Sequence, residues 1–558
     1  MPGYSGKRAF LELLKQEGVE FMFGNPGTTE LPLMDAFAVE EDIRYVLALQ
    51  EAAVMAMADG YAQASGKLAV VSLHVTPGLG NAMGMLYDAQ KAQSPILVTA
   101  GQHDQGFNVT EPILYADLPP IARPLVKWSS EVHSLGDLPR LVHRACTTAL
   151  APPSGPVFLS LPADVLKAEG EIDLGAPTRV AARTRGDAGA IAEAAALLAK
   201  AERPLIMAGD AVAQSRALGE LVELAELLGA PVYAELISST ASFPASHPLF
   251  RGSMVRIAPP VRRILEQHDL LFSVGGDLFS MSLPSDVEAV PPGLKIIHLD
   301  VDTWELGKNY PATVAILGDP KGTLPDITAA VRQRMDARAL ERARDRLETA
   351  KKATLAERNS LREKALAEVD KKPVQAASLI AALADTMPKD VAVVDETISS
   401  GGGMRSLLRS EDAQSYFGLR GGGIGWGLPA TLGVKLALPD RPVVGLIGDG
   451  SAMYTCQALW TAAHDKIPVV WVIFNNSSYR ILKQRVNAMR GYAAQTDRFV
   501  AMELTEPLID YVGLARSLGV AAERAASVAE AVDLMKKGLA SNKALLVDVA
   551  LDRSFKPV

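Results

Sequence analysis

The sequence predicts an α/β protein of three consecutive units, each a mainly parallel sheet covered by helices. Three observations carry this. The chain has 558 residues, well beyond the roughly 250–300 at which a single core stops growing. Short β-branched runs alternate with longer helical patterns along its whole length, as parallel sheets with crossover helices require. The pattern breaks in a Gly-, Pro- and charge-rich stretch near 165–187, read as a linker, and in an Arg-, Lys-, Glu- and Ala-dense stretch over 337–368, read as a solvated helix. The units are therefore expected over residues 1–180, 188–340 and 370–558.

Taken in order, MPGYSGKRAFLELLKQEG reads as an amphipathic helix. The runs FMFG, YVLAL, LAVVSLH, PILVTAG and GPVFLSLP follow as strands. Several end in glycine or a polar loop, which puts ligand-facing residues at the carboxyl edge, where open α/β sheets bind ligands. The second unit supplies PLIMAG, PVYAEL, LLFSVGG and LKIIHLDVD. No G-x-G-x-x-G opens a helix there, so a dinucleotide site is not expected. The third supplies VAVVDE, YFGL, PVVGLIGD, VVWVIFNN and ALLVDVAL.

Composition narrows the class. The chain is 48% hydrophobic and 22% charged, with a net charge of -8, which argues against nucleic acid or an anionic membrane surface as partner. No run reaches the ~18 apolar residues of a membrane span, and the N-terminus lacks a signal-peptide core. The two cysteines, Cys146 and Cys456, fit no metal-ligand spacing and read as reduced thiols. A cytoplasmic enzyme with a small-molecule substrate is expected.

The chemistry concentrates in Gly448-Asp449-Gly450-Ser451 and Asn475-Asn476. Alone, a GDG is a tight turn. Here VVGLIG delivers Asp449 to the sheet's carboxyl edge, Tyr454 to His464 reads as a crossover helix, and VVWVIFNN delivers Asn476 to the same edge. A carboxylate, an amide oxygen and the backbone carbonyl of Ser478 then form a set of hard oxygen ligands suited to magnesium. The Gly-Asp-Gly turn also lets backbone amides approach a phosphate.

At this point the chain resembles the thiamine-diphosphate enzymes of the acetohydroxyacid synthase and 2-oxo acid decarboxylase superfamily. Phe23-Gly24-Asn25-Pro26-Gly27 with Glu30-Leu31-Pro32, LALQEA around Glu51, and the loop from Gly418 to Pro429 look like its other motifs. FGNPG-x-x-ELP, ADGYAQAS, GNAMG, RPLVKWS and GDGSA-x-Y are most similar to the benzoylformate decarboxylase branch. The resemblance implies thiamine diphosphate and Mg2+ as cofactors, held between the first unit of one subunit and the third of another in a homodimer or homotetramer. It implies decarboxylation of a 2-oxo acid to an aldehyde and carbon dioxide, with carboligase capacity.

Residue by residue, it implies that Glu51 hydrogen-bonds the aminopyrimidine and His74 handles protons on the substrate. Thr28 stands where a substrate-binding serine is expected. Gly422 would offer its carbonyl to the exocyclic amine, and Ile424 would bend the cofactor. Gly450, Ser451 and Tyr454 would approach the pyrophosphate, with Thr397 and Ser399 nearby. Asp449, Asn476 and Ser478 would bind the metal. Gln102 and His103 are further cleft candidates. The pattern departs from the branch in GDLFSMSLPSD, which carries Met281 and Ser282 but no histidine, and at Arg480, which replaces a glycine. Arg480 reads either as a surface residue or as an anchor for an anionic substrate tail. Both departures keep a carboligase or hydroxyacyl-CoA lyase as the rival reading. A non-catalytic cofactor-binding subunit is the rival of another class.

Overall fold

The computed structural model describes residues 3–235 and 238–555. Leu236, the end of the expected PVYAEL strand, and Met1 and Pro2 of the N-terminal run lie outside these. Three six-stranded sheets form, and every pairing within them is parallel. Among the described residues no helix is long and apolar enough to cross a membrane.

The first sheet runs Arg44–Leu47, Phe21–Gly24, Ala69–Leu73, Ile96–Gln102, Val157–Pro162, Ser129–Glu131 across its width. The third runs Tyr416–Gly418, Ala392–Glu396, Val443–Gly448, Val470–Asn475, Leu545–Ala550, Ala521–Ala525. These two strand orders are the same: second, first, third, fourth, sixth, fifth. The middle sheet differs, running Phe250–Ser253, Val232–Ala234, Pro204–Ala208, Leu270–Val274, Lys295–Asp300, Val314–Leu317. In each sheet the order reverses beside the first strand, and that reversal opens a crevice at the strands' carboxyl ends.

The expected strands are present to within a residue or two, because central parallel strands are covered on both faces and must be continuously apolar. Val443–Gly448 is buried at every position. Four strands of the six-stranded sheets escape a sequence reading: Ser129–Glu131, Phe250–Ser253, Val314–Leu317 and Ala521–Ala525. All four lie at sheet edges, where no continuous apolar run is required. Two other expectations are corrected. The crossover helix after the GDGS turn begins at Ala458, not Tyr454, since residues 449–452 already form a separate short turn of helix. The stretch at 165–187 is only partly a linker, because Glu169–Glu171 pairs antiparallel with Gly3–Ser5.

The dense charged stretch is one helix, Ala337–Leu366, with only Ala339, Ala343, Thr354 and Ala365 buried. The first and third units dock directly. Helix Glu51–Ser65 crosses helix Gly427–Ala437 so closely that a Cβ at Gly433 would lie 2.0 Å from the Met57 carbonyl oxygen. At one end of this contact the Trp426 indole donates to Asp59 Oδ2 at 2.7 Å.

Candidate active site

The crevice of the first sheet lies between Phe21–Gly24 and Ala69–Leu73. Asn25 and His74 follow those strands, and Glu51 begins the helix that Gln50 caps through bonds to the Ala52 and Ala53 amides. Glu51 is buried, 8% exposed. It accepts from Asn25 Nδ2 at 3.1 Å and from Asn81 Nδ2 at 3.0 Å, one on each oxygen. The two amides fix the carboxyl group's plane, and the sequence reading named neither for this role.

His74 Nδ1 lies 2.9 Å from Glu30 Oε2 and 3.1 Å from Thr29 Oγ1. Glu30 also accepts the Gly27 amide at 2.8 Å. The Glu30 hydrogen bond holds the His74 imidazole above its ordinary value, against the opposing effect of burial. Gly27 is obligatory here, since a Cβ would lie 2.2 Å from the His74 ring. Thr28 opens the same turn and is exposed, while its neighbours Thr29 and Glu30 turn inward to the histidine. Gln102 and His103 are committed elsewhere. Gln102 donates to the Ala116 carbonyl and His103 Nε2 lies 3.0 Å from the Ile113 carbonyl.

The crevice of the third sheet lies between Ala392–Glu396 and Val443–Gly448. Gly448 stands in register with Phe474, which brings Asp449 and Asn476 to neighbouring strand ends. Both are 3% exposed. Asp449 Oδ2 and Asn476 Oδ1 are buried with no hydrogen-bond partner among the described residues. Buried oxygens in this state are costly unless something fills the gap, and a hard cation does so. Burial pushes the Asp449 carboxyl up to about 6, a cost that a cation would reverse. Ser478, 4% exposed, follows Ser477 in the left-handed region at φ 49°. Asn475, by contrast, is structural: it donates to Asp548 and accepts from Ser477. The residues fit magnesium with a pyrophosphate.

Gly450 packs against the Tyr479 ring, where a Cβ would meet the ring at 2.7 Å. Ser451 is buried and Tyr454 is exposed. Thr397 donates its hydroxyl to Asp395 at 2.7 Å. Ser399 offers its carbonyl to Arg480 Nη2 at 3.0 Å, and Arg480 also donates to Ser400 Oγ at 2.9 Å and the Asp552 carbonyl at 3.2 Å. Arg480 is thus half-buried and braces the loop after Glu396, rather than standing free at the surface.

The loop between Gly418 and Gly427 runs from the strand Tyr416–Gly418 to the helix Gly427–Ala437. Gly422 and Gly425 adopt φ 90° and 103°, which favour glycine. Gly425 is forced further, since a Cβ would lie 2.5 Å from that of Tyr454. Ile424 packs on the core. Two buried carboxylates missed by the sequence reading hold this loop. Asp88 accepts the Gly423 amide at 3.0 Å. Glu396 accepts the Gly425 and Gly427 amides, both at 2.6 Å, and burial pushes it up to about 7. In the middle unit, Met281 is half-buried against an apolar cluster and Ser282 donates to the Arg256 carbonyl. His298 of that unit is wholly buried, with Nε2 2.9 Å from the Gly276 carbonyl oxygen.

Three family models match the chain in sequence: the N-terminal TPP binding domain, the central domain and the C-terminal TPP binding domain of thiamine pyrophosphate enzymes, over residues 4–113, 191–327 and 401–549. The benzoylformate decarboxylase of Pseudomonas aeruginosa is 35% identical over 97% of this chain and 98% of its own length. A probable acetolactate synthase large subunit of Methanocaldococcus jannaschii is 30% identical over 98% and 92%. Among solved structures, a thiamine diphosphate-dependent 4-hydroxybenzoylformate decarboxylase of Rhodococcus jostii RHA1 superposes with a TM-score of 0.85 at 32% identity, over 99% of this chain and 100% of that one. The benzoylformate decarboxylase of Polynucleobacter necessarius gives 0.87 at 28%, over the same shares.

Proposed function

This chain belongs to the thiamine pyrophosphate enzyme family, and on that footing we propose that it removes carbon dioxide from a 2-oxo acid of the benzoylformate type to leave an aldehyde, with carboligase capacity. The observation that carries the reading is the end-to-end likeness to benzoylformate decarboxylase, 35% identical over 97% of the chain.

Thiamine diphosphate, when bound, supplies the nucleophilic carbon and the electron sink. The chain's own residues do the rest. Asp449, Asn476 and the Ser478 carbonyl hold magnesium, with Gly450, Ser451 and Tyr454 about the pyrophosphate and Thr397 and Ser399 bordering them. The Gly422 carbonyl and Ile424 orient the aminopyrimidine. Glu51, its plane fixed by Asn25 and Asn81, hydrogen-bonds that ring. Glu30 occupies His74 Nδ1, leaving Nε2 to give and take protons at the substrate oxygen. Thr28, exposed beside it, offers a hydroxyl to the substrate carboxylate. The sites lie between subunits of a homodimer or homotetramer.

The test is a product assay with the magnesium and thiamine diphosphate holoenzyme, offered benzoylformate, pyruvate and a branched 2-oxo acid, each alone and then with an aldehyde. Aldehyde and carbon dioxide from one acid alone are expected. Condensed hydroxy products without free aldehyde would overturn the reading. They would favour the carboligase alternative, which the histidine-free segment 276–286 and the acetolactate synthase relative support. In the same assay Glu51→Gln is expected to lower kcat by ~10²–10⁴-fold, the usual weight of a positioned acid–base group, while thiamine diphosphate affinity measured by calorimetry stays within a few-fold of wild type.

A further inference from the structure

The third crevice of the molecule, at the order reversal of the middle sheet, lies between Pro204–Ala208 and Leu270–Val274. There the backbones come so close that a Cβ on Gly209 would lie 2.3 Å from the Gly275 carbonyl oxygen. Asp210 follows the crevice strand Pro204–Ala208 and Glu235 the neighbouring strand Val232–Ala234, and both are buried. A cavity of about 210 Å³ beside them is lined by Asp210, Gly276, Asp277, Arg256 and, from the third unit, Arg420.

Arg420 reaches across from the cofactor loop. Its Nη1 donates to Asp210 Oδ2 at 3.0 Å and to Glu235 Oε1, and its Nη2 to Glu235 Oε2 at 3.2 Å. Asp210 is itself anchored. It accepts the Ser238, Ser239 and Thr240 hydroxyls and the Ser239 and Thr240 amides, at 2.6 to 3.0 Å. That same segment pairs with the strand leading into the loop, through the Thr240–Phe417 bridge and the Gly418 amide donating to the Ser239 carbonyl. The forked guanidinium thus holds the start of the loop on a rigid pedestal, as a compact ammonium does not. One residue on, a Cβ at Gly421 would lie 2.1 Å from Asp88 Oδ1, so the loop has no slack in which to absorb a shift.

We propose that Arg420 is a positioning residue: seated between Asp210 and Glu235 in the middle unit's crevice, it fixes the Gly421–Gly425 loop so that Gly422 and Ile424 meet the cofactor's aminopyrimidine. The middle unit then serves the cofactor through its own binding crevice, which it gives over to a side chain of the same chain. The proposal rests on the reading that this loop holds the pyrimidine ring.

The test is calorimetric titration of the magnesium-loaded full chain with two probes, thiamine diphosphate and inorganic pyrophosphate. Arg420→Lys, the triple variant Asp210→Asn, Glu235→Gln, Arg420→Gln that neutralises all three groups, and Ile424→Ala are compared with wild type. The triple variant leaves no unpaired buried charge, so it guards against simple failure to fold. Both Arg420 variants are expected to weaken thiamine diphosphate by at least ~10-fold and to leave pyrophosphate unchanged, because only the pyrimidine end depends on the loop. Equal weakening of both probes marks general destabilisation and overturns the proposal. So does wild-type affinity for thiamine diphosphate in the Arg420 variants while Ile424→Ala loses it. Wild-type affinity in Ile424→Ala overturns the loop reading itself, and the proposal with it.

Discussion

Asp88 shows how much of this site rests on single side chains that ligate nothing. One oxygen accepts the Gly423 amide, and the other is buried without a partner among the described residues. Burial, with Asp59 and Glu396 nearby, pushes the carboxyl up to about 8 from its ordinary 3.8. The folded state therefore holds this proton where the unfolded chain has released it, and this group's contribution to stability falls as pH rises from near 3.8 through 8. Asp88→Asn keeps the acceptor and removes the titration. Thermal melts of the cofactor-free protein across that range are expected to show a shallower decline for the variant, which becomes the more stable of the two at pH 9. Identical slopes would show that Asp88 is ionised when folded. At this scale the strand-end positions of Glu51, His74, Asp449 and Asn476 were legible in the sequence, because each follows a recognisable strand. It concealed the hydrogen-bonding roles of Glu30, Asp88, Glu396 and Arg420's partners. All act on residues far along the chain: Glu30 and Glu396 within their own units, Asp88 and Arg420's partners only where separate units dock.

Among elements, the contact between helices Glu51–Ser65 and Gly427–Ala437 carries the most consequence. It sets Glu51 at one end of a helix whose partner begins beside the cofactor loop. Gly433 makes the close approach. Replacing it with alanine gains ~1 kcal/mol of intrinsic helix propensity. It also drives a methyl to within 2.0 Å of the Met57 carbonyl oxygen, and backbone does not yield cheaply. The clash is expected to win, with a net loss of ~1–3 kcal/mol in chemical denaturation. A stabilised Gly433→Ala protein would show that the helices part without cost. The hydrophobic pattern revealed the central strands for the same reason that it hid the four edge strands, since burial on both faces leaves a run and burial on one does not. The Ala337–Leu366 helix was legible from charge alone, its few buried positions being spaced too widely to compete.

For the whole molecule, the loop over residues 105–114 leaves Val109 and Ile113 at 86% and 84% exposed, beside the half-exposed Phe107. Exposed apolar groups are a common feature of subunit contacts, and the subunit arrangement proposed above has a direct test. If Glu51 of one subunit serves the Asp449 of another, two inactive variants complement each other. Glu51→Gln mixed with Asp449→Asn is expected to recover about one quarter of wild-type activity, since half the random dimers are mixed and each holds one intact site. No recovery after confirmed subunit exchange would place each site within one chain. Trp426 has a consequence of a different kind. Its indole is fully buried, bonded to Asp59 across the junction of the first and third units, and next in sequence to Gly425. An indole in dry surroundings fluoresces at shorter wavelength than one in water. Replacing the other four tryptophans with phenylalanine leaves a protein whose emission colour reports, in real time, whether those two units are seated against each other.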